Sequence, residues 1–160
     1  DTVCIANSLH HFDDPAAVLT EMVRLLHPGG AFIFSEMFAD GQSETQQTHV
    51  LLHHWWAEVD RLHGIAHHPT FSRAALAGLI ETLPLEDLRL DEYGDTSSDP
   101  RDPAIIEELA PVFERYIQRA DGHPGLQQQG ETLRRRLETI GFHSATALLA
   151  RGMKSLSKDR

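Results

Sequence analysis

The stretch that most constrains the fold is the first 36 residues, DTVCIANSLHHFDDPAAVLTEMVRLLHPGGAFIFSE. Thr2 to Ala6 is a short apolar run that gives way to a polar cluster, Asn7-Ser8-Leu9-His10-His11. Asp13 or Asp14 supplies a helix N-cap, and Pro15 stands where a first-turn proline is tolerated. Val18, Leu19, Met22, Val23 and Leu26 then recur at helical spacing. His27-Pro28-Gly29-Gly30 stops that helix and reverses the chain. Ala31 to Ser35 is a second apolar run, closed by Glu36. A strand, a crossover helix and a second strand form a βαβ unit, which makes the two strands parallel.

Beyond this unit, Phe38 to Gln42 reads as a loop, and Ser43-Glu44-Thr45-Gln46 has the form of a capping box. A helix follows to about Leu62, with Leu51, Trp55, Val59 and Leu62 on one stripe. Ser72 caps the next helix, whose apolar face is Leu76, Leu79, Ile80 and Leu83, and Pro84 ends it. Leu85 to Tyr93 alternates imperfectly and predicts a strand. Residues 94–103 are turn-rich. Ile105, Leu109, Val112, Phe113, Tyr116 and Ile117 form a helical stripe with Pro111 inside it, which predicts a kink or break near Glu107. Leu126, Leu133, Leu137 and Ile140 mark another helix, and Ser144 to Arg151 reads as the last strand. The expected organisation is one α/β domain over residues 1–160. It has a β-α-β core at 1–36, a helical segment at 43–83, a helical insertion at 97–141 between the last two strands, and a frayed tail at 154–160.

Composition excludes some partners. Lys plus Arg is 14 against 24 Asp plus Glu, a formal charge of −10. Nucleic acid and anionic membrane surfaces both call for a basic face, so neither is expected as a partner. No apolar run approaches the ~20 residues of a membrane span. Cys4 lies in an apolar strand and reads as a buried, inert thiol; a single cysteine fits a reducing, cytoplasmic setting.

The run Asp1-Thr2-Val3 … Asn7-Ser8-Leu9-His10-His11-Phe12-Asp13-Asp14-Pro15, followed by Leu26-His27-Pro28-Gly29-Gly30-Ala31-Phe32-Ile33-Phe34-Ser35-Glu36, resembles class I S-adenosylmethionine-dependent methyltransferases of the small-molecule type. The resemblance matches an aspartate opening strand four, a polar cluster ending in "LHH", a helix, and "L-x-P-G-G" leading into strand five. It implies the C-terminal part of a Rossmann-like sheet, from strand four onward, ordered four, five, seven, six with seven antiparallel. It implies methyl transfer from S-adenosylmethionine to a small-molecule acceptor, with Ala6, Asn7, Ser8 and Leu9 beside the cofactor. The family's glycine-rich loop after strand one has no counterpart in these residues. The chain is therefore expected to be a fragment, inactive without a cofactor-binding N-terminal half.

His10 and His11 are candidate catalytic bases, since neutral imidazole suits proton transfer near pH 7. His53 and Trp56 are candidate substrate contacts. His49 and His53 stand four apart on one helix, a spacing that can chelate a metal, yet there is no HExxH pattern and no cysteine pair, so no metal site is assigned. Two other readings remain. One is a truncated or degenerate methyltransferase-like domain with a scaffold role, forming a homodimer through an exposed first strand. The other is a histidine-rich metal-binding module. Trp55 is expected in the core, and Arg134-Arg135-Arg136 on a solvated helix face.

Overall fold

The computed structural model describes residues 1–156; the end of the predicted tail, residues 157–160, lies outside them. The elements are β1 (Thr2–Ala6), α1 (Pro15–Leu25), β2 (Ala31–Met37), α2 (Glu44–Leu62), α3 (Arg73–Glu81), β3 (Leu85–Tyr93), α4 (Pro103–Arg119), α5 (Pro124–Thr139) and β4 (Ala147–Lys154), with a single 3-10 turn at Leu9–His11. The chain divides into two compact units. The first holds residues 1–40, 71–93 and 147 onward; the second holds 41–70 and 94–146. The physical reason is that each has its own apolar core.

The first unit carries a four-stranded sheet in the order β1-β2-β4-β3. β1 and β2 are parallel, and β4 is antiparallel to both of its neighbours. This is the order, and the antiparallel strand, that the resemblance implies. Phe32 and Phe34 of β2 pack with Leu148 and Ala150 of β4, against Leu19 and Val23 of α1 and Leu76 and Ile80 of α3. The inward phase of β2 continues past Phe32 and Phe34 to Glu36, so strand alternation drives a carboxyl group into the buried side. The imperfect phase of β3 has a cause: the register shifts between Glu86 and Arg89, where Asp87 takes a φ of 51°. Cys4 corrects the expectation of a buried thiol. β1 is an edge strand that turns Val3 and Ile5 toward the core, and Cys4, on the opposite phase, is exposed.

The second unit is helical. Leu52, Trp55 and Val59 of α2 meet Phe113 and Ala120 from α4 and its end, and Leu133 and Leu137 of α5. Trp55 is fully buried, stacks on Phe113 with centroids 5.8 Å apart, and donates its indole N–H to the Leu126 carbonyl at 2.9 Å. The capping box is formed in full: the Ser43 side chain takes the Gln46 N–H, and the Gln46 side chain takes the Ser43 N–H. Of the kink or break expected near Glu107, the break does not occur: α4 runs on through Pro111. Pro111 and Glu107 are both exposed, so the carbonyl left without a proline N–H faces water. The last strand starts at Ala147 and not at Ser144, because the Ala145 and Thr146 N–H groups go to the His49 Nδ1 and the Gln42 Oε1 instead of a neighbouring strand. Of the three arginines expected on a solvated face, Arg135 is exposed and the half-buried Arg134 pairs with Glu114 at 2.8 Å and Glu131 at 2.6 Å, but Arg136 turns inward to the Thr48 hydroxyl at 3.1 Å and the Glu44 carbonyl at 2.8 Å.

Gly130 of α5 faces the Trp55 ring so closely that an added Cβ would overlap it. Helix propensity alone favours alanine at Gly130 by about 1 kcal/mol. Overpacking the ring outweighs this, and Gly130→Ala is expected to destabilise by about 1–2 kcal/mol in urea unfolding. A stabilised variant would contradict the packing described for Trp55.

Candidate functional site

β1 ends at Ala6, and the chain turns sharply. Asn7 takes a φ of 45°, a left-handed conformation that asparagine tolerates better than most residues, and its N–H bonds the Ser35 carbonyl at 2.9 Å. The Ser8 hydroxyl donates back to the Ala6 carbonyl at 2.8 Å. Leu9 is fully buried in the core of the first unit. Its N–H donates to Glu36 Oε2 at 2.7 Å, and His10 Nδ1 meets Glu36 Oε1 at 2.9 Å. Glu36 itself has no exposed surface. A buried carboxyl needs such partners, since an unpaired one costs several kcal/mol. His10 is buried, while His11 is exposed with its ring centroid 4.4 Å from that of His10. Asp14, not Asp13, caps α1 by accepting the Ala17 N–H at 2.9 Å.

The predicted cofactor residues thus share one loop. Ala6 and Asn7 are exposed, Ser8 is half-buried, and the Leu9 side chain is packed away. The loop stands at the carboxyl end of a parallel strand, where open α/β sheets place their ligands. The residue that organises it, Glu36, is visible in sequence only as the acid that closes a strand. The signal that could have found it is its phase, two residues beyond Phe34.

In the second unit, His53 and Trp56 lie on α2, but His53 belongs to a buried polar network. Asp60 accepts from His67 Nδ1 at 2.7 Å, from the Tyr116 hydroxyl at 3.1 Å and from Arg119 at 2.6 Å. His67 Nε2 stands 3.1 Å from His53 Nε2. Burial pushes the Asp60 carboxyl up, but the bonds from His67, Arg119 and Tyr116 outweigh it and hold the group below the usual carboxylate range. Trp56 is half-buried with its ring 5.9 Å from Tyr116, and its indole N–H is buried without a partner among the described residues. His49 and His53 are not brought together as a chelating pair: His49 Nδ1 accepts the Ala145 N–H at 3.0 Å, whereas His53 turns to His67. Tyr116 and Arg119 come from residues 56 and 59 positions after Asp60, and no local pattern marks them.

A methyltransferase-domain model matches residues 1–90, more than half of the chain. The chain belongs to the methyltransferase-domain family. No curated protein matches it. Among solved structures, it is similar to a candidate methyltransferase from Bacillus halodurans, with 15% identity and a TM-score of 0.52, over 96% of this chain and 64% of that one. The YcgJ protein of Bacillus subtilis is similar at 16% identity and a TM-score of 0.50, over 97% and 64%. A cyclopropane-fatty-acyl-phospholipid synthase-like protein from Lactobacillus casei is similar at 13% identity and a TM-score of 0.54, over 96% and 55%. At these identities the likeness shows the fold alone. The chain spans 64% of the length of the two Bacillus structures. No helix among the described residues is long and apolar enough to cross a membrane.

His49 yields a test of the second unit. Burial lowers its pKa from 6.5 to about 4, so the folded state keeps the ring neutral where the unfolded chain protonates it. Its contribution is complete above pH 6.5 and is lost as pH falls toward 4. Unfolding free energy should drop by up to about 3 kcal/mol across that window. His49→Gln, measured by urea unfolding at several pH values, should flatten that acid limb; an unchanged slope would show that other groups set it.

Proposed function

We propose that these residues supply the strand-four-to-seven part of a class I methyltransferase that carries a methyl group from S-adenosylmethionine to a small-molecule acceptor. The observation that carries this reading is the loop Ala6–Leu9, held at the carboxyl end of β1 by the buried Glu36. The residues present fit one part of such a cofactor. Asn7 is exposed, its carboxamide offers both donors and an acceptor, and its left-handed backbone turns it out of the strand. Such a group suits the ammonium and carboxylate of an amino-acid moiety. Ala6 leaves room beside it, and Ser8 stiffens the turn through its bond to the Ala6 carbonyl. When bound, the cofactor supplies a methyl group on a cationic sulfur. The protein's part is to bind and orient, because holding the reactants in line contributes most of the rate in such a transfer. His10 and His11 stand in the same loop as candidates for proton acceptance. A glycine-rich loop following a strand does not occur in residues 1–160, so in this reading another segment completes the cofactor site.

The test is photo-cross-linking of methyl-labelled S-adenosylmethionine to the polypeptide that carries these residues in its natural length, followed by peptide mapping. Label is expected within residues 6–11, and Asn7→Ala should weaken binding by about tenfold, the worth of one hydrogen bond to a charged group. Binding that leaves residues 6–11 unlabelled, or no binding, would overturn the assignment.

The position of β1 favours a second reading, a homodimer in which the open edge of β1 pairs with a second copy. Antiparallel pairing centred on Cys4 would place the two thiols near each other. Oxidation should then trap a Cys4–Cys4 dimer that Cys4→Ser abolishes, and a monomer by light scattering at all concentrations would rule the pairing out.

A further inference from the structure

Both helices of the first unit, α1 and α3, pack on the sheet face that carries Phe32, Phe34, Leu148 and Ala150. Strand alternation sends the other side chains to the opposite face. Register lines them up across all four strands: Cys4 stands opposite Ile33, Ile33 opposite Arg151, and Arg151 opposite Arg89. All four are exposed. Around this row Ile33, Met153, Asp87, Arg89 and Arg151 line a cavity of about 480 Å³, within the size range of small-molecule sites. The cavity lies toward the amino end of β2, whereas Glu36 holds the loop 6–11 at the carboxyl end.

Like charges directly opposite each other on antiparallel strands destabilise a sheet. Neither Arg89 nor Arg151 hydrogen-bonds or pairs with an acid among the described residues, although the chain carries 24 acids to 14 bases. Asp87, placed by the bulge between Glu86 and Arg89, lines the same cavity yet is joined to neither. An anion between the two guanidiniums would remove their repulsion and meet planar donor forks suited to its oxygens. A phosphate monoester carries about two negative charges near pH 7, matching two guanidiniums, where a carboxylate carries one. Ile33 and Met153, 49% and 40% exposed, offer an apolar floor beside them. We infer that this cavity binds a small soluble phosphate monoester, with its phosphate between Arg89 and Arg151 and its apolar body on Ile33 and Met153. The inference goes beyond methyl transfer and stands independently of it. A chain with a net charge of −10 is ill suited to an anionic membrane surface, so the phosphate is that of a soluble molecule and not of a lipid layer.

Hexyl phosphate is the probe, titrated into the natural-length protein and followed by NMR through the arginine Nε–H signals. Those of Arg89 and Arg151 should shift together and saturate. Inorganic phosphate should bind about tenfold more weakly, the worth of about two buried methylene groups. Arg89→Gln and Arg151→Gln should each weaken hexyl phosphate by about tenfold. Neither should lower stability in urea unfolding without ligand, because each removes a repulsion. Ile33→Ser should bring hexyl phosphate down to the level of inorganic phosphate. Hexanol binding as tightly as hexyl phosphate would overturn the inference, since the anion would then not be read. So would the absence of a saturating shift, or binding that survives both arginine substitutions. Sedimentation with phosphatidylglycerol vesicles in place of hexyl phosphate binding would overturn it too, by assigning the arginines to a membrane surface. None of these readouts uses S-adenosylmethionine, so their failure and that of the methyltransferase reading stay separate.

Discussion

The carboxyl group of Glu36 is the constraint on which the first unit's loop depends. Strand alternation alone places it inside, in line with Phe32 and Phe34. Once there it must be paired, and the nearest donors are the Leu9 N–H and the His10 ring. Those two bonds pin the turn that follows β1. They bury Leu9 and leave Ala6 and Asn7 facing outward at the carboxyl end of the strand. Removing the carboxyl would leave a buried N–H without a partner, at a cost of about 1–3 kcal/mol. The same interaction therefore serves folding and sets the face that the loop presents.

The second unit uses a similar device for a different end. Asp60 collects three donors, two from α4 and one from the loop after α2, and its carboxyl stays charged because those donors outweigh burial. Breaking such a network is costlier than its net contribution suggests, since the remaining charge is left buried. Around it, Trp55 and Phe113 supply the apolar mass.

Local signals in the sequence were read where the physics is local. Ser43 with Gln46, Ser72 at its helix start and the βαβ punctuation at Pro15 and Gly29-Gly30 all depend on residues within four positions of each other. The limits of β3 were legible too, and the bulge at Asp87 accounts for its broken alternation. What was not legible depends on distance or on neighbours. Cys4 reads as buried because an apolar strand looks alike at an edge and in the centre of a sheet. Pro111 leaves a kink and a break both open in sequence, because local pattern does not say whether the exposed Glu107 can turn its carbonyl to water. His53 reads as a ligand or contact, but its partner His67 and the aspartate behind it are joined by a loop whose path no periodicity specifies. The loop 6–11 was recognisable, while the residue that shapes it, 25 or more positions away, was not.

The most direct measurement is a crystal structure of the natural-length protein with S-adenosylhomocysteine bound. The ligand should lie against Ala6, Asn7 and Ser8 at the carboxyl end of β1, with Glu36 still holding the Leu9 N–H and His10 Nδ1. A ligand bound away from that loop, or a loop that abandons Glu36 when the ligand binds, would contradict the account.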